Sequence, residues 1–522
     1  MKIYWTDYSE SESKSERFKS PDQIQRYISV LIADEKELGH LGASLDSLIC
    51  KDGLKYSAFL YKGPKVDMAS QMNPGSGAKD MGELVKRAKK ANKILEDSGH
   101  PFSAQEILFS YHADSLSYES ISKEGELSVL DSIVLLGDEV LDQKVLYAHL
   151  RLKKEQLYNE QNLSKVDARL KRLQFIRLVR PSELIYTKDR FRLLLSIEKK
   201  KANTANGIIG FQPDENGKVR ITGELDLVLQ NALNRADRIS LNWRRLQDAS
   251  QKLEASFAYP YLFRTALGMM ASLDQFRQDS TFNQVSSEFG LSYLLENGDI
   301  LEAEIGRRTF SNLLDQPSTS DITDSRSLMY GIGYLHNSLD DQFNPYHGMR
   351  ATLRVSYGTK TLTTASQTED PVVNELDSWE VYGDIRRFIP IIGRSTLMFR
   401  LNAFHQESDV ILFKELQRIG GLFTLRGTDE LAIRASTYGI WTTEFRFLTD
   451  ERAYVSAFFD MAYYEAKTPT YREKDSPYGF GLGTAFDTGA GIFTLNYALG
   501  SRFDTSPSFR SAKIHFGYTA LF

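Results

Sequence analysis

From Thr204 onward polar and apolar residues alternate with a period of two, whereas the chain before it mixes helical periodicity with short alternating runs. Val219–Leu229 sets Val219, Ile221, Leu225, Leu227 and Leu229, with Gly223, on one face, against Arg220, Thr222, Glu224, Asp226 and Val228 on the other. In a pleated strand, such odd and even positions face opposite sides of the sheet. Ile239, Leu241 and Trp243 likewise oppose Arg238, Ser240, Asn242 and Arg244, and Tyr478, Phe480, Leu482 and Phe486 oppose Gly479, Gly481, Gly483 and Asp487. About sixteen such segments can be marked, most near the roughly 9 to 11 residues of a tilted membrane strand. An even number of strands joined by hairpins can close on itself and leave no edge exposed in lipid. The pattern therefore predicts a membrane β-barrel of antiparallel strands over 203–522. A soluble sandwich alternates too, but its polar face meets bulk water, whereas the Gly, Asn, Arg and Glu found here suit a lumen.

The front of the chain reads as tandem α+β units. Pro21–Leu38 carries Ile24, Tyr27, Ile28, Leu31 and Ile32 at helical spacing. Two alternating runs follow, Leu41–Ile49 and Leu54–Tyr61, joined by the hairpin signal Lys51-Asp52-Gly53. Gly39-His40 with Ala43 returns as Gly99-His100 with Ala104, each after a charged helix. A third unit has a strand at Ser128–Leu136 and helices at Leu141–Leu150 and Asn159–Gln174, the latter opened by an Asn cap. The strands Arg177–Tyr186 and Phe191–Glu198 close it. This order predicts a flexible segment over 1–19, a first repeat, whole or partial, over 20–70, a second over 80–126 and a third over 127–202. Gln71–Asp80 connects the first two. Such arrays bind rather than catalyse; an ordinary α+β domain with chance similarity is the alternative.

Composition narrows the class. Among 522 residues, 64 basic and 69 acidic side chains leave a net charge of −5, which excludes a nucleic-acid footprint in the totals. Mean hydropathy is mildly polar. A barrel with a wet lumen and a greasy exterior has an unremarkable mean, so this does not imply a soluble protein. No apolar run is long enough for a membrane-spanning helix. The 30 Phe and 26 Tyr fit interfacial girdles. The single cysteine, Cys50, excludes an intrachain disulfide and is expected to be a small core residue. The eight histidines lie far apart, without metal-ligand spacing. Gly75-Ser76-Gly77-Ala78-Lys79 lacks the length of a phosphate loop, and Gly479-x-Gly481-x-Gly483 is a strand face. With no nucleophile–base pair visible, no catalytic site, metal or cofactor is expected, and a barrel enzyme such as a lipase or protease is disfavoured. The start has no apolar segment or cleavage site, so an exported protein of this sequence is expected to have had its signal removed.

The chain ends on Ile514, Phe516, Tyr518, Ala520 and Phe522, alternating with His515, Gly517, Thr519 and Leu521. A terminal strand ending in an aromatic resembles the recognition signal of outer-membrane barrels. The longest interruption of the alternation, Gln406–Ile433, contains Leu425-Arg426-Gly427-Thr428. That tetrapeptide resembles the Val-Arg-Gly-Phe loop motif of the barrel-assembly and translocation-assembly family, the BamA-like and TamA-like outer-membrane proteins, with Thr428 in place of the aromatic. Tyr259-Pro260-Tyr261-Leu262 and Asp341-Gln342-Phe343-Asn344-Pro345-Tyr346-His347-Gly348 are similar to further stretches of that family. The three front repeats resemble its polypeptide-transport-associated (POTRA) domains. The resemblance covers most of the chain after Lys19 and places the loop before the fifth strand from the end.

The resemblance implies an outer-membrane protein with its front domains in the periplasm, acting without a cofactor to insert or export other proteins. Its partners would be unfolded outer-membrane or secreted client proteins, outer-membrane lipids and periplasmic or lipoprotein subunits, with no nucleic acid. It also implies that Arg426 on an inward loop meets one or both of Glu444 and Asp460, which lie on the face opposite Trp441, Phe445, Val455 and Phe459. From the residues alone, a solvated Arg426 with both carboxylates lining water is the simpler reading. The expected lateral seam joins a first strand near Ala205–Gln212, containing Gly207, Ile209 and Gly210, to Ser511–Phe522, containing Ile514, Phe516, Tyr518 and Phe522. Glycine weakens the former. An export pore of the two-partner-secretion kind, or a passive channel, plugged by 406–433, is the rival function.

Overall fold

The structure, a computed structural model, describes the chain apart from residues 1, 7–10, 16–17, 19–20, 39, 41, 52–54, 64–80, 113–114, 214–218, 246–249, 279–280, 314–322, 365–371, 489–490, 504 and 522. The hairpin signal around Asp52, the connection before Asp80 and the terminal Phe522 thus lie outside the described residues. The chain forms two compact units, one of 1–134, 153–165 and 183–194, the other of 135–152, 166–182 and 195–522.

In the first unit, Ser11–Ser15, Lys2–Thr6, Lys55–Tyr61 and Ser44–Lys51 form a sheet in that order. Lys2–Thr6 runs parallel to Lys55–Tyr61, with Ile3 opposite Ala58. Ile3, Ala58 and Leu60 are buried with Ile24 and Ile28, which lie one turn apart on the helix Pro21–Glu37. The segment 1–19, expected to be flexible, therefore supplies two strands, because Ile3 completes this small core. Cys50, expected in a core, is exposed on the edge strand Ser44–Lys51. A second helix, Met81–Asp97, precedes the hairpin of Ala104–His112 with Ser115–Lys123. Glu183–Thr187 pairs antiparallel with the start of Arg190–Lys199.

The second unit contains the barrel and the helices next to it. Gln143–Leu150 begins where the Asp142 carboxylate accepts the Lys144 N–H at 2.8 Å. The helix expected over Asn159–Gln174 is two short helices, Glu160–Leu163, which belongs to the first unit, and Val166–Leu170, which belongs to the second. Asn159 does cap the first, accepting from the Asn162 N–H at 2.8 Å.

Sixteen strands make the closed barrel, each antiparallel to the next, from Thr204–Pro213 to Lys513–Leu521. The fourteenth is interrupted: Arg472–Asp475 and Tyr478–Asp487 both pair with Ala453–Lys467, and Ser476-Pro477 separates them. Proline has no N–H to give the ladder, although its carbonyl still accepts from the Ala462 N–H at 2.8 Å. Middle strands exceed the expected length, with 17 residues in Gly348–Thr364 and 19 in Val372–Pro390. Tyr330, Ile332, Leu353, Val355 and Tyr357 are exposed outward, a surface that lipid would cover. Glu302 and Glu304 point inward to Arg354, with Arg354 Nε 3.0 Å from Glu304 Oε1. Among the described residues, no helix is long and apolar enough to cross a membrane.

At one end of the barrel, the turns after alternate strands meet the helix Gln143–Leu150. Asn231 donates from its side chain to the Val140 carbonyl at 2.7 Å, and Asn234 O accepts from Asp142 N at 2.9 Å. His149, buried, bonds through Nδ1 to the Tyr261 hydroxyl and through Nε2 to the Arg169 carbonyl at 2.7 Å. A carbonyl only accepts, so Nε2 carries the proton and Nδ1 takes the Tyr261 O–H. Burial pushes the imidazole down to about 4, from an ordinary 6.5. Between those values the unfolded chain binds a proton that the folded one refuses, so stability falls as pH drops through this window. The full loss is on the order of 3 kcal/mol. Amide exchange of Gln143–Leu150, corrected for its intrinsic rate, is expected to accelerate between pH 7 and 4.5, and His149→Gln to flatten that response. A wild-type profile without this acceleration would contradict the assignment.

Candidate functional site

Between Ser395–Ser408 and Thr437–Asp450 the chain turns into the barrel. The excursion begins after Ser408, three residues later than the sequence suggests. Its neck is a short ladder of Gln417–Ile419 with Ile433–Ala435. Ile419, Leu425, Ile433 and Ala435 are buried with Phe404, Tyr438, Ile440, Ala462 and Tyr464 of the barrel wall. At the neck, Glu415 Oε2 lies 2.9 Å from Lys360 Nζ, and Oε1 accepts from Ser325 Oγ at 2.7 Å.

Arg426 lies past that apolar anchor. Its Nε and Nη2 each stand 2.7 Å from the two oxygens of Asp460, a bidentate pair, and its Nη1 is 2.6 Å from Glu444 Oε2. The Arg426 N–H also donates to Asp460 Oδ2 at 3.1 Å. The other Glu444 oxygen accepts from Arg446 Nε at 2.6 Å. Two guanidiniums thus balance two carboxylates, with Arg426 stacked 3.5 Å from the Phe458 ring centre. Asp460 and Glu444 are 1% and 3% exposed, and burial that deep is tolerable only because every charge is paired. The strand alternation does the positioning: Trp441, Phe445, Val455 and Phe459 face outward and are exposed, leaving Glu444 and Asp460 inside.

Glycines allow this close approach. A Cβ on Gly479 would meet the Arg426 carbonyl at 1.8 Å, and one on Gly500 would meet the Gly427 carbonyl at 2.2 Å. Gly427 itself has φ +90°, a conformation L side chains rarely adopt. Thr428, where the similar motif has an aromatic, donates to the Leu425 carbonyl at 2.7 Å and accepts from the Gly421 N–H at 3.3 Å, tightening the turn. The next two residues reach apart. Glu430 pairs with Arg244 of the third strand at 3.1 Å, and Asp429 with Lys513 of the last at 2.6 Å. The sequence reading did not single out Gly479, Gly500, Asp429, Glu430 or the Lys360–Glu415 pair. For Gly479 a signal existed, but it read as part of a small-residue strand face.

The seam residues lie apart from this anchor. The first strand pairs with the second at ten positions, among them Gly207 with Leu225, Ile209 with Gly223 and Gly210 with Thr222. The last pairs with its predecessor at seven, including Ile514 with Tyr497, Phe516 with Leu495 and Tyr518 with Phe493. Across the closure, among the described residues, only Thr204 pairs with Leu521 and Ala205 with Ala520. Among the described residues, Gly207, Ile209, Gly210, Ile514 and Phe516 make no ladder pair across the seam. Phe522 lies outside the described residues.

A model of the Omp85 superfamily domain matches residues 231–519. No curated protein matches the sequence. Among solved structures, CdiB from Escherichia coli aligns over 97% of this chain and 100% of its own, with 15% identity and a TM-score of 0.54. CdiB from Acinetobacter baumannii aligns over 97% and 88%, with 14% identity and a TM-score of 0.54. BamA from Haemophilus ducreyi lacking POTRA domains 1–3 aligns over 84% and 93%, with 14% identity and a TM-score of 0.48.

Proposed function

The chain belongs to the Omp85 superfamily, and from that premise we propose that it inserts client proteins into the outer membrane, or exports them across it, through the seam between its first and last barrel strands. The observation that carries this reading is the closure by two residue pairs among the described residues, where the neighbouring ladders have ten and seven. An unpaired strand edge offers a row of N–H and C=O groups to which an extended client segment adds by backbone pairing. Opening the seam breaks few such bonds. The strand faces beyond Ala205 then become a template.

The inward loop serves this opening in two ways. Arg426 fixes the loop to the wall a few strands before the seam, on the twelfth and thirteenth strands, which hold Glu444 and Asp460. Asp429 and Glu430 reach toward the last and third strands, one to each side of the closure. The Asp429–Lys513 pair is largely exposed and adds little stability of its own. Broken and remade cheaply, it suits a contact that yields when a client arrives. The front α+β units, in the periplasm, receive clients along their edge strands before insertion.

The rival export-pore reading draws support from the cavity of about 840 Å³ beside the loop, lined by Lys252, Glu254, Asp274, Glu288 and Arg308. A photo-activatable residue separates the two. Placed at Gly207 or Phe516 it is expected to capture client protein during assembly, and placed at Glu254 or Glu288 it is expected to capture none. Adducts confined to the lumen positions would establish the pore instead.

A further inference from the structure

Most arginines facing the lumen have a carboxylate. Arg244, Arg308, Arg354, Arg400, Arg426 and Arg446 each pair with Asp or Glu. Arg418 and Arg434 break the rule. They occupy directly opposed positions in the neck of the inward loop, and no ion pair joins either to a carboxylate among the described residues. Like charges set opposite one another on neighbouring strands repel, the more so where both are half-buried. Nearby Glu415 cannot serve, since its oxygens are taken by Ser325, Lys360 and the Leu412 N–H.

Both guanidiniums turn the same edge toward one atom. Arg418 Nη2 lies 2.5 Å and Arg434 Nη2 3.1 Å from Oε1 of Gln278, the last residue of its strand. Aromatic faces hold them in that attitude: the Arg418 Cζ lies 4.5 Å from the Phe276 ring centre, and the Arg434 Cζ 4.5 Å from that of Phe413. Two fixed cations thus converge on a single neutral oxygen at the rim of the barrel, away from the turns that meet Gln143–Leu150. The side chain of Gln278 supplies the shape of an acceptor without the charge.

The geometry points to an oxyanion site in which a phosphate group takes the place of the Gln278 carbonyl oxygen and bridges Arg418 to Arg434. Planar guanidiniums donate paired N–H groups that match phosphate oxygens, and a phosphate has oxygens enough to serve both while cancelling their repulsion. The group is either free phosphate or the phosphorylated headgroup of a lipid at the barrel rim. This site stands on the loop neck alone and does not depend on how the seam works.

The test uses the full chain, first in neutral detergent titrated with inorganic phosphate by calorimetry, then in bilayer discs with and without a phosphorylated lipid. Saturable binding is expected in at least one format. Binding of inorganic phosphate assigns the free anion; binding seen only in the phosphorylated discs assigns the headgroup. Arg418→Gln and Arg434→Gln are each expected to weaken it about tenfold or more, the loss of charge-assisted hydrogen bonds. Gln278→Glu provides the control for folding: its carboxylate fills the site from within, so it is expected to abolish binding while raising the melting temperature. No binding in either format would overturn the proposal, as would unchanged affinity in the Arg418→Gln, Arg434→Gln double variant or undiminished binding by Gln278→Glu.

Discussion

Replacing Arg426 by Ala is expected to release the inward loop from the barrel wall and to reduce assembly activity at least tenfold. The substitution leaves Asp460, 1% exposed, without the guanidinium that meets both its oxygens. Glu444 keeps Arg446 but loses its second partner. Stranding a buried charge in this way costs about 3 to 5 kcal/mol, enough to shift the loop from docked to undocked. Arg426→Lys is expected to fall between the two, because an ammonium is a point charge that cannot bridge Asp460 and Glu444 with the same fixed fork. Adding Asp460→Asn to Arg426→Ala removes the stranded charge and is expected to recover part of the docking. Protease susceptibility of Gly420–Leu431 and the yield of assembled client together read the outcome. Wild-type values for both in Arg426→Ala would show that the network contributes nothing.

The barrel was legible because its signal is local. A period of two needs only a strand's own residues, and it assigned Trp441 and Phe445 outward and Glu444 inward without knowledge of any neighbour. The same alternation put Asp460 on the inner face of the following strand. What brings Arg426 to both carboxylates is not local. It requires Gly479 and Gly500 to leave room for the loop backbone, and in the sequence those residues belong to an ordinary small-residue face. The thinness of the closure was likewise hidden, since the glycines of Thr204–Pro213 announce a weak strand but not how few pairs it makes with Lys513–Leu521. The front units show the limits of short windows. Lys2–Thr6 has too few residues to declare itself, and it becomes a strand because Ile3 fits beside Ala58 and Leu60. Asn159 was rightly read as a cap, yet the helix it opens ends at Leu163.

The proposed insertion or export of clients depends on the seam opening sideways, and the two pairs of the closure define where to bind it shut. Continuing the register of Thr204 with Leu521 and Ala205 with Ala520 brings Ile209 opposite Phe516. The variant Ile209→Cys, Phe516→Cys, built on Cys50→Ser to remove the exposed native thiol, forms a disulfide only if the two strands zip together. Client insertion by the oxidised protein in proteoliposomes, with the crosslink verified by mass spectrometry, is the measurement. The account predicts that insertion falls to background on oxidation and returns on addition of a reductant, while the single-cysteine controls stay active under both conditions. Undiminished insertion with the bond proven intact would mean that clients do not leave through this closure.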